Sequence, residues 1–249
     1  MKVSIIMPYY KKSSYIDESI NSILNQTFKE FEIVIVDDEL SEDSSKVLNR
    51  IKKLDERISI LKNKKNLGAG QSRNNAIDLC DSEYIAFCDC DDLWKSNKLE
   101  VQLKIMQKLN LKFSHTSYEI IDKKNFKIGY RETQENLSFL QLQKSCDIGL
   151  STVILKRNLL HDPKFRFGST KTKEDFILWL LLAKNDIMIF GIKDCLVSWR
   201  KSKNSLSSST FQKLLDGYKV YKDYLHYSRL KSLYFLFILS INFILKKFK

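Results

Sequence analysis

No stretch of this chain is apolar for long enough to cross a bilayer. A spanning helix needs roughly 20 apolar residues, and the most apolar run, Leu233 to Leu245, is well short of that and carries Ser240 and Asn242. The start, MKVSIIMPYY, has one lysine and then an apolar run from Val3 to Met7. That run is too short for a signal-peptide core and no small-residue cleavage site follows, so a cytosolic protein is expected. The 5 cysteines, Cys80, Cys88, Cys90, Cys146 and Cys195, are odd in number and lack framework spacing. They read as reduced thiols. No second Cys or His pair accompanies Cys88 and Cys90, and the 3 histidines (His115, His161, His226) are scattered without metal spacing.

Acid is in short supply as well. Lys+Arg 42 against Asp+Glu 30 leaves +12, an excess that favours nucleic acid, acidic lipid or a phosphorylated substrate. No RNA- or DNA-binding module is recognisable, and the basic residues concentrate where no aromatic stacking platform is evident, which argues against nucleic acid. The strict dinucleotide fingerprint and the P-loop pattern are both missing, which argues against a nicotinamide enzyme and a nucleoside triphosphatase.

What is present is globular. With 249 residues, 43% hydrophobic and 29% charged, the chain can bury a sizeable core in one large domain or one and a half. The first hundred residues alternate between two patterns. VSIIMPYY, FEIVIVDD (31–38), ISIL (58–61) and YIAFC are apolar runs. Between them Ile16, Ile20, Ile23 and Leu24, then Val47, Leu48, Ile51 and Leu54, repeat at helical spacing, and Gly70 to Leu79 reads as a third helix. Strands without alternation, separated by amphipathic helices, predict a parallel sheet covered on both faces. Asp43 and Ser44 are expected to cap the second helix. Further on, Leu99 to Leu109 reads as a helix, FSHTSYEIID (113–122) and STVILKR (151–157) as strands, and Phe176 to Leu182 as a buried helix.

Ligands of such sheets bind beyond the carboxyl ends of the strands. Pro8-Tyr9-Tyr10, Asp37-Asp38 and Asp89-Cys90-Asp91-Asp92 all fall there. A single Asp after a strand is usually a cap or a turn residue, and Asp37 or Asp38 alone reads that way. Three carboxylates around one strand end are different. Like charges raise each other's pKa, so a positive partner is called for. Hard oxygen ligands suit Mg2+ or Mn2+, which take remaining ligands from substrate phosphates. Before the third helix, Gly68 and Gly70 permit close backbone approach, and Arg73 near the helix start can bind phosphate.

VSIIMPYY, IVIVDD, NLGAGQSRNNAI and YIAFCDCDDLW, in this order, resemble family 2 glycosyltransferases of the GT-A fold, of the bacterial surface-polysaccharide type. Glu174-Asp175 in KEDFILWLLLAK looks like that family's acidic motif before an apolar helix, and VSWRKSKNSLS (197–207) is similar to its closing segment. The resemblance runs from Val3 to about Ser207. It implies a Rossmann-like, mostly parallel sheet flanked by helices, with residues 1–99 as the nucleotide-sugar half and 100–207 as the acceptor and catalytic half of one domain. Residues 208–249 form a helical tail.

The resemblance also implies roles. Pro8, Tyr9 and Tyr10 would line uracil and ribose, and Asp38 or Asp37 would accept the uracil N3–H. Arg73 would hold the base and phosphate region, and Asp89 would contact ribose or donor sugar. Asp91 would ligate Mn2+ or Mg2+, with Asp92 as a water-mediated ligand, and Asp175 would be the general base. Where many members place a histidine two residues after the closing-segment arginine, this chain has Arg200, Lys201 and Ser202. Arg200, Lys201 and Lys203 would stabilise the diphosphate instead. The implied reaction is inverting, metal-dependent transfer of a hexose, β-linked glucose or galactose, from a UDP-sugar to a lipid-diphosphate-linked N-acetylhexosamine, in O-antigen or capsule assembly at the cytoplasmic face of the bacterial inner membrane. Two other classes stay open: a nucleic-acid-binding protein and a nucleotidyltransferase, although the latter would normally carry a glycine-rich loop where Pro8 to Lys12 stand. The tail, with Arg229 and Lys231 before its apolar run and Lys246, Lys247 and Lys249 after it, suits a helix in an anionic membrane interface. Docking on the body, or a dimer contact, is the competing reading.

Overall fold

The computed structural model describes residues 2–201 and 210–245. The closing segment beyond Lys201, with Lys203, and the lysines at 246, 247 and 249 lie outside them. The first half alternates as its apolar runs require: β1 (Val3–Tyr9), α1 (Ile16–Leu24), β2 (Phe31–Asp37), α2 (Glu42–Lys52), β3 (Ile58–Lys62), α3 (Ala69–Leu79) and β4 (Tyr84–Phe87). Then come β5 (Leu93–Trp94), α4 (Lys98–Lys108), β6 (Phe113–Ile121), β7 (Lys127–Arg131), β8 (Asn136–Leu137), α5 (Phe139–Leu142) and β9 (Ile154–Lys156). The last elements are α6 (Glu174–Lys184), β10 (Ile189–Arg200), α7 (Thr210–Lys219) and α8 (Arg229–Leu245).

The strands form one sheet in the order β3-β2-β1-β4-β9-β6-β10-β5, with β7 beside β6 and β8 beside β10. β1 to β4 are parallel, β9 runs against β4 and β6, and β10 is parallel to β6 with β5 antiparallel at its edge. Only β9 and β5 on that path oppose the common direction, so the carboxyl ends of β1, β2 and β4 share one edge. Alternate residues of the doubly covered strands feed two cores. Ile5, Met7, Ile33 and Ile35 pack with Ile20, Leu48 and Leu103 from α1, α2 and α4. Ile6, Val34, Val36 and Phe87 pack with Ile77 of α3 and with Phe176 and Trp179 of α6.

Two local expectations need correction. The cap of α2 is Ser41, whose hydroxyl accepts the Ser44 N–H at 2.9 Å; Asp43 and Ser44 lie in the first turn, because extended Ser41 already reaches that donor. STVILKR is a strand only over Ile154–Lys156. Leu150–Thr152 is a 3-10 turn, in which the Thr152 hydroxyl donates to the Gly149 carbonyl at 2.6 Å.

The tail docks. α7 runs into a π-helical turn, Val220–Tyr224, and Val220, Tyr221, Phe235 and Leu239 join the core of α6. The Tyr221 hydroxyl donates to the Gln143 carbonyl at 2.7 Å, and its ring stacks on Phe235 with centroids 5.6 Å apart. The Tyr227 hydroxyl donates to Gln143 Oε1 at 2.9 Å. Only one stripe of α8 is used. Leu230 is 82% exposed, Phe237 65%, and Leu233, Tyr234 and Ile244 more than half exposed, so an apolar face remains outside. Among the described residues no helix is long and apolar enough to cross a membrane.

Candidate active site

Pairing of Tyr9 with Asp37 brings the ends of β1 and β2 level, and β4 ends at Phe87 beside Ile6, so that the following Asp89 and Cys90 run on beside the end of β1. The polar residues that follow each strand therefore converge. Pro8 is half-buried, its carbonyl accepting the Cys90 thiol at 3.4 Å. Tyr9 is buried and Tyr10 is exposed at the edge. Burial, reinforced by Glu39, pushes the Tyr9 hydroxyl up to about 12. Tyr9 also helps line a cavity of about 280 Å3 with Lys11, Ser13, Glu39, Asp43 and Val47.

The two aspartates after β2 have separate tasks. Asp37 Oδ1 accepts the N–H groups of Glu39 and Leu40 at 3.2 and 3.1 Å, and its Oδ2 accepts the Ser44 hydroxyl at 3.1 Å. It builds the turn into α2. Asp38 Oδ1 accepts from the Leu67 N–H at 2.7 Å and the Asn63 amide at 2.8 Å, and Oδ2 accepts the Gly68 N–H at 2.9 Å. It thereby holds the loop that starts α3, where Gly68 adopts φ +82°, a conformation that favours glycine. A carboxylate has about four acceptor sites, so Asp38 keeps little capacity beyond its three donors.

Each carboxylate after β4 has its own partner. Asp91 pairs with the Lys12 ammonium, the positive charge that the acidic cluster calls for. Burial raises the Asp91 pKa and Lys12 opposes that rise. Burial would also lower the Lys12 ammonium, but Asp91 outweighs it and the net shift is upward. Asp92 is buried, with Oδ2 accepting the Ser151 hydroxyl at 2.5 Å and Oδ1 the Arg200 N–H at 2.9 Å. Burial, then Asp91 and Asp89, pushes its carboxyl well above the usual range. Asp89, with its side chain 35% exposed, accepts from Arg73 Nη2 at 2.7 Å.

Arg73 joins this edge to α6. Its guanidinium is buried and its other arm donates from Nη1 to Glu174 Oε1 at 2.8 Å. Asp175, the next residue, is half-buried. Its Oδ1 accepts the Phe176 N–H at 2.7 Å. Burial and the neighbouring Glu174 carboxylate push Asp175 up to about 7, against the pull of Arg73. A carboxyl poised there can take up and release a proton near neutral pH.

Arg200 lies inside the protein. Nε donates to the Asp91 carbonyl at 2.8 Å, Nη2 to Glu18 Oε2 at 2.7 Å, and Nη1 to the Asp122 carbonyl at 3.2 Å and to Asn125. Its side chain is 0% exposed, so in this arrangement it faces the protein's own acceptors.

Among the described residues no three His, Cys, Asp or Glu side chains are grouped to hold a divalent cation. Asp92 spends both oxygens on Ser151 and Arg200. Asp91 keeps one oxygen clear of Lys12, with its side chain 11% exposed. That fits an ion carried in on a diphosphate, which needs only one or two protein carboxylates. It does not fit a preformed cage.

The structure thus brings together Arg73, Asp89, Asp91 and Asp175, leaves Tyr10 exposed at the edge, and gives Asp37, Asp38, Asp92 and Arg200 bonds that hold the surrounding loops. Lys12, Ser151 and the bridging role of Glu174 escaped sequence reasoning. For Lys12 a signal existed: it follows β1 by three residues, on the same edge as the acidic cluster. For Ser151 no local signal exists, since its partner lies 59 residues away.

The model of Glycosyl transferase family 2 matches residues 4–166. The Escherichia coli UDP-Glc:alpha-D-GlcNAc-diphosphoundecaprenol beta-1,3-glucosyltransferase WfgD is 36% identical over 94% of this chain and 90% of its own length. Among solved structures, S. aureus TarS 1–349 in complex with UDP-GlcNAc superposes with a TM-score of 0.74 at 22% identity, over 95% of this chain and 70% of that one. The mannosyltransferase PcManGT from Pyrobaculum calidifontis, in complex with GDP-Man and Mn2+, superposes with a TM-score of 0.71 at 14% identity, over 94% and 69%. The fold is GT-A.

Proposed function

The chain belongs to glycosyl transferase family 2, and from that premise we propose that it moves a hexose, glucose in the first instance, from a UDP-sugar to an N-acetylhexosamine carried on a lipid diphosphate, with inversion. The observation that carries this reading is the Asp89–Arg73–Glu174 brace. It ties the edge where a nucleotide-sugar would lie to Asp175, whose carboxyl is poised near neutrality. Support for the substrates comes from WfgD, whose name specifies a UDP-Glc donor and a diphosphoundecaprenol acceptor.

Tyr10 and the strand ends would line the nucleoside, with Asp38 fixing the loop beside it. Asp175 takes the proton from the acceptor hydroxyl, which is a poor nucleophile until it is deprotonated in the transition state. The bond from the anomeric carbon to the diphosphate breaks as the acceptor oxygen attacks from the opposite face, so an α-linked donor gives a β-linked product. Asp91, with the diphosphate oxygens, would hold Mn2+ or Mg2+. When bound, that ion neutralises charge on the leaving group. Lys12, released from Asp91, is placed to add a second positive charge there. The outer face of α8, with Arg229 and Lys231 at its start, would lie on the anionic surface that carries the lipid acceptor, peripheral to the cytoplasmic leaflet.

The test is product analysis with UDP-glucose and a GlcNAc-diphospho-lipid. Release of UDP with a β-configured disaccharide supports the reading. Release of pyrophosphate would point to a nucleotidyltransferase and sink it.

A further inference from the structure

Asp175 sits in the first turn of α6, and little in the local sequence fixes where that helix begins. The residue at the cap is Lys173, in the left-handed region at φ 65°, and it makes no side-chain cap bond; the local contact is that of Asp175 itself, whose Oδ1 accepts the Phe176 N–H. A helix start without a capping side chain at its cap position lacks that local stabilisation. The start is held from elsewhere. Thr172, buried, donates both its N–H and its hydroxyl to Asp216 Oδ2 of α7, at 3.0 and 2.9 Å. Asp216 is 1% exposed, and its Oδ1 accepts from Gln212 Nε2 at 2.9 Å. The same loop is pinned twice more. The Tyr224 hydroxyl accepts the Ser169 N–H at 3.1 Å, and a Cβ at Gly168 would stand 2.5 Å from Ile177 Cδ1 and 3.2 Å from the Tyr224 hydroxyl. On the other side of the base, Glu174 is fixed by Arg73. Asp175 therefore lies between two clasps, one reaching the donor edge and one reaching the tail.

We propose that Asp216 is a positioning residue for Asp175, so that α7 belongs to the catalytic apparatus rather than to a detachable appendage. The proposal rests on the reading of Asp175 as the base. A general base must lie within hydrogen-bond reach of the hydroxyl it deprotonates, and a misplacement of about 1 Å can cost on the order of a hundredfold in rate. Asp216 touches no substrate. It acts through Thr172, three residues ahead of Asp175.

The test uses the full chain with a water-soluble GlcNAc-diphosphate acceptor, so that membrane binding plays no part. Asp216→Asn keeps the size but replaces the charged acceptor of both Thr172 donors with a neutral one and obliges the Gln212 amide to turn and accept instead of donate, so the clasp on Thr172 is weakened. It should lower kcat about tenfold or more, with KM for the UDP-sugar and the calorimetric affinity for UDP within about twofold. Thr172→Val should do the same from the other partner, and Thr172→Ser, which keeps the hydroxyl, should restore most of the rate. Should Asp216→Asn melt at assay temperature, the Thr172 pair alone decides. In an Asp175→Asn background, adding Asp216→Asn should cost less than about twofold, because the group it positions is already gone. A silent Asp216→Asn and Thr172→Val beside an inactive Asp175→Asn would overturn the clasp and leave the base in place. An Asp216→Asn effect of full size in the Asp175→Asn background would also overturn it. Full activity of Asp175→Asn alone would remove the base assignment, and the clasp with it.

Discussion

The β2 end of the donor edge and the base are held in opposite ways. After β2, Asp37 bonds residues only 2, 3 and 7 positions away in the chain. Asp38 reaches no further than 30 positions, into the next loop. The base side is fixed at longer range: Arg73 to Glu174 spans 101 residues and Thr172 to Asp216 spans 44. A nucleotide platform can be built from consecutive strand–loop–helix units. A base that must meet an acceptor hydroxyl has to be aimed relative to that platform, so its supports are long-range. Changes to the local turn after β2 should therefore act mildly, and changes to the long-range supports of the base should act mainly on turnover.

The largest effect should fall on the base. Asp175→Asn should lower kcat by about a thousandfold or more, while calorimetry finds UDP affinity within about twofold, since the base acts on the acceptor. Loss of nucleotide binding in that variant would move Asp175 to the donor side and erase the contrast. Next comes Arg73, the link between the two regions. Arg73→Met leaves Glu174, largely buried, and Asp89, about a third exposed, without their shared partner. A drop of about a hundredfold in kcat is expected, together with a lowered melting temperature. Asp91→Asn should cost about a hundredfold in transfer, and chelation of the wild type should match it, with Mn2+ or Mg2+ restoring activity. Full activity in chelator would remove the cation from the reaction.

A tenfold effect is expected from pH alone. Asp175 must be ionised to act, and burial with Glu174 beside it places its carboxyl at about 7, so kcat should rise about tenfold between pH 6 and pH 8 and then level off. Arg73 and Asp89 face the same group. Removing the acidic neighbour by Glu174→Gln should move the midpoint of the pH–rate curve down. A midpoint that does not respond to Glu174→Gln would place the titrating group elsewhere.

This contrast also explains what could be read from the chain beforehand. The parallel half was legible because its signals are local: apolar runs, helical spacing, and carboxylates placed just after strands. The convergence of Asp37, Asp38, Asp89 and Asp91 on one edge follows from strand polarity alone. Their division of labour did not follow, because it depends on partners such as Ser151 and Lys12 that meet them only in the fold. β9 was legible as a strand, but not as one opposing its neighbours. The tail was legible as helical, aromatic and cation-flanked. That it docks by one stripe and bares the other was not, since α8 is apolar nearly all round and periodicity offers no face to choose.

The smallest effect on chemistry, and the most selective, should come from that bare face. Leu230, Leu233 and Phe237 are each more than half exposed, so replacing them with Gln should leave the melt and the turnover of a water-soluble acceptor within about twofold. Vesicle binding is a different matter. Each apolar side chain withdrawn from the interface forgoes on the order of 1.5–3 kcal/mol when it is fully buried there, so sedimentation with anionic vesicles should fall by at least tenfold for the triple variant. High salt should weaken the intact protein only in part, because screening touches the Arg229 and Lys231 share and not the apolar one. Phe235→Gln makes the opposite test. Its ring is buried against Tyr221 and Tyr227, so this change should loosen the tail from the body and lower both the melt and kcat on every acceptor. If the exposed triple variant behaved like Phe235→Gln, the two faces of α8 would not be separable. If it bound vesicles as well as the wild type, the outer face would have no part in membrane binding.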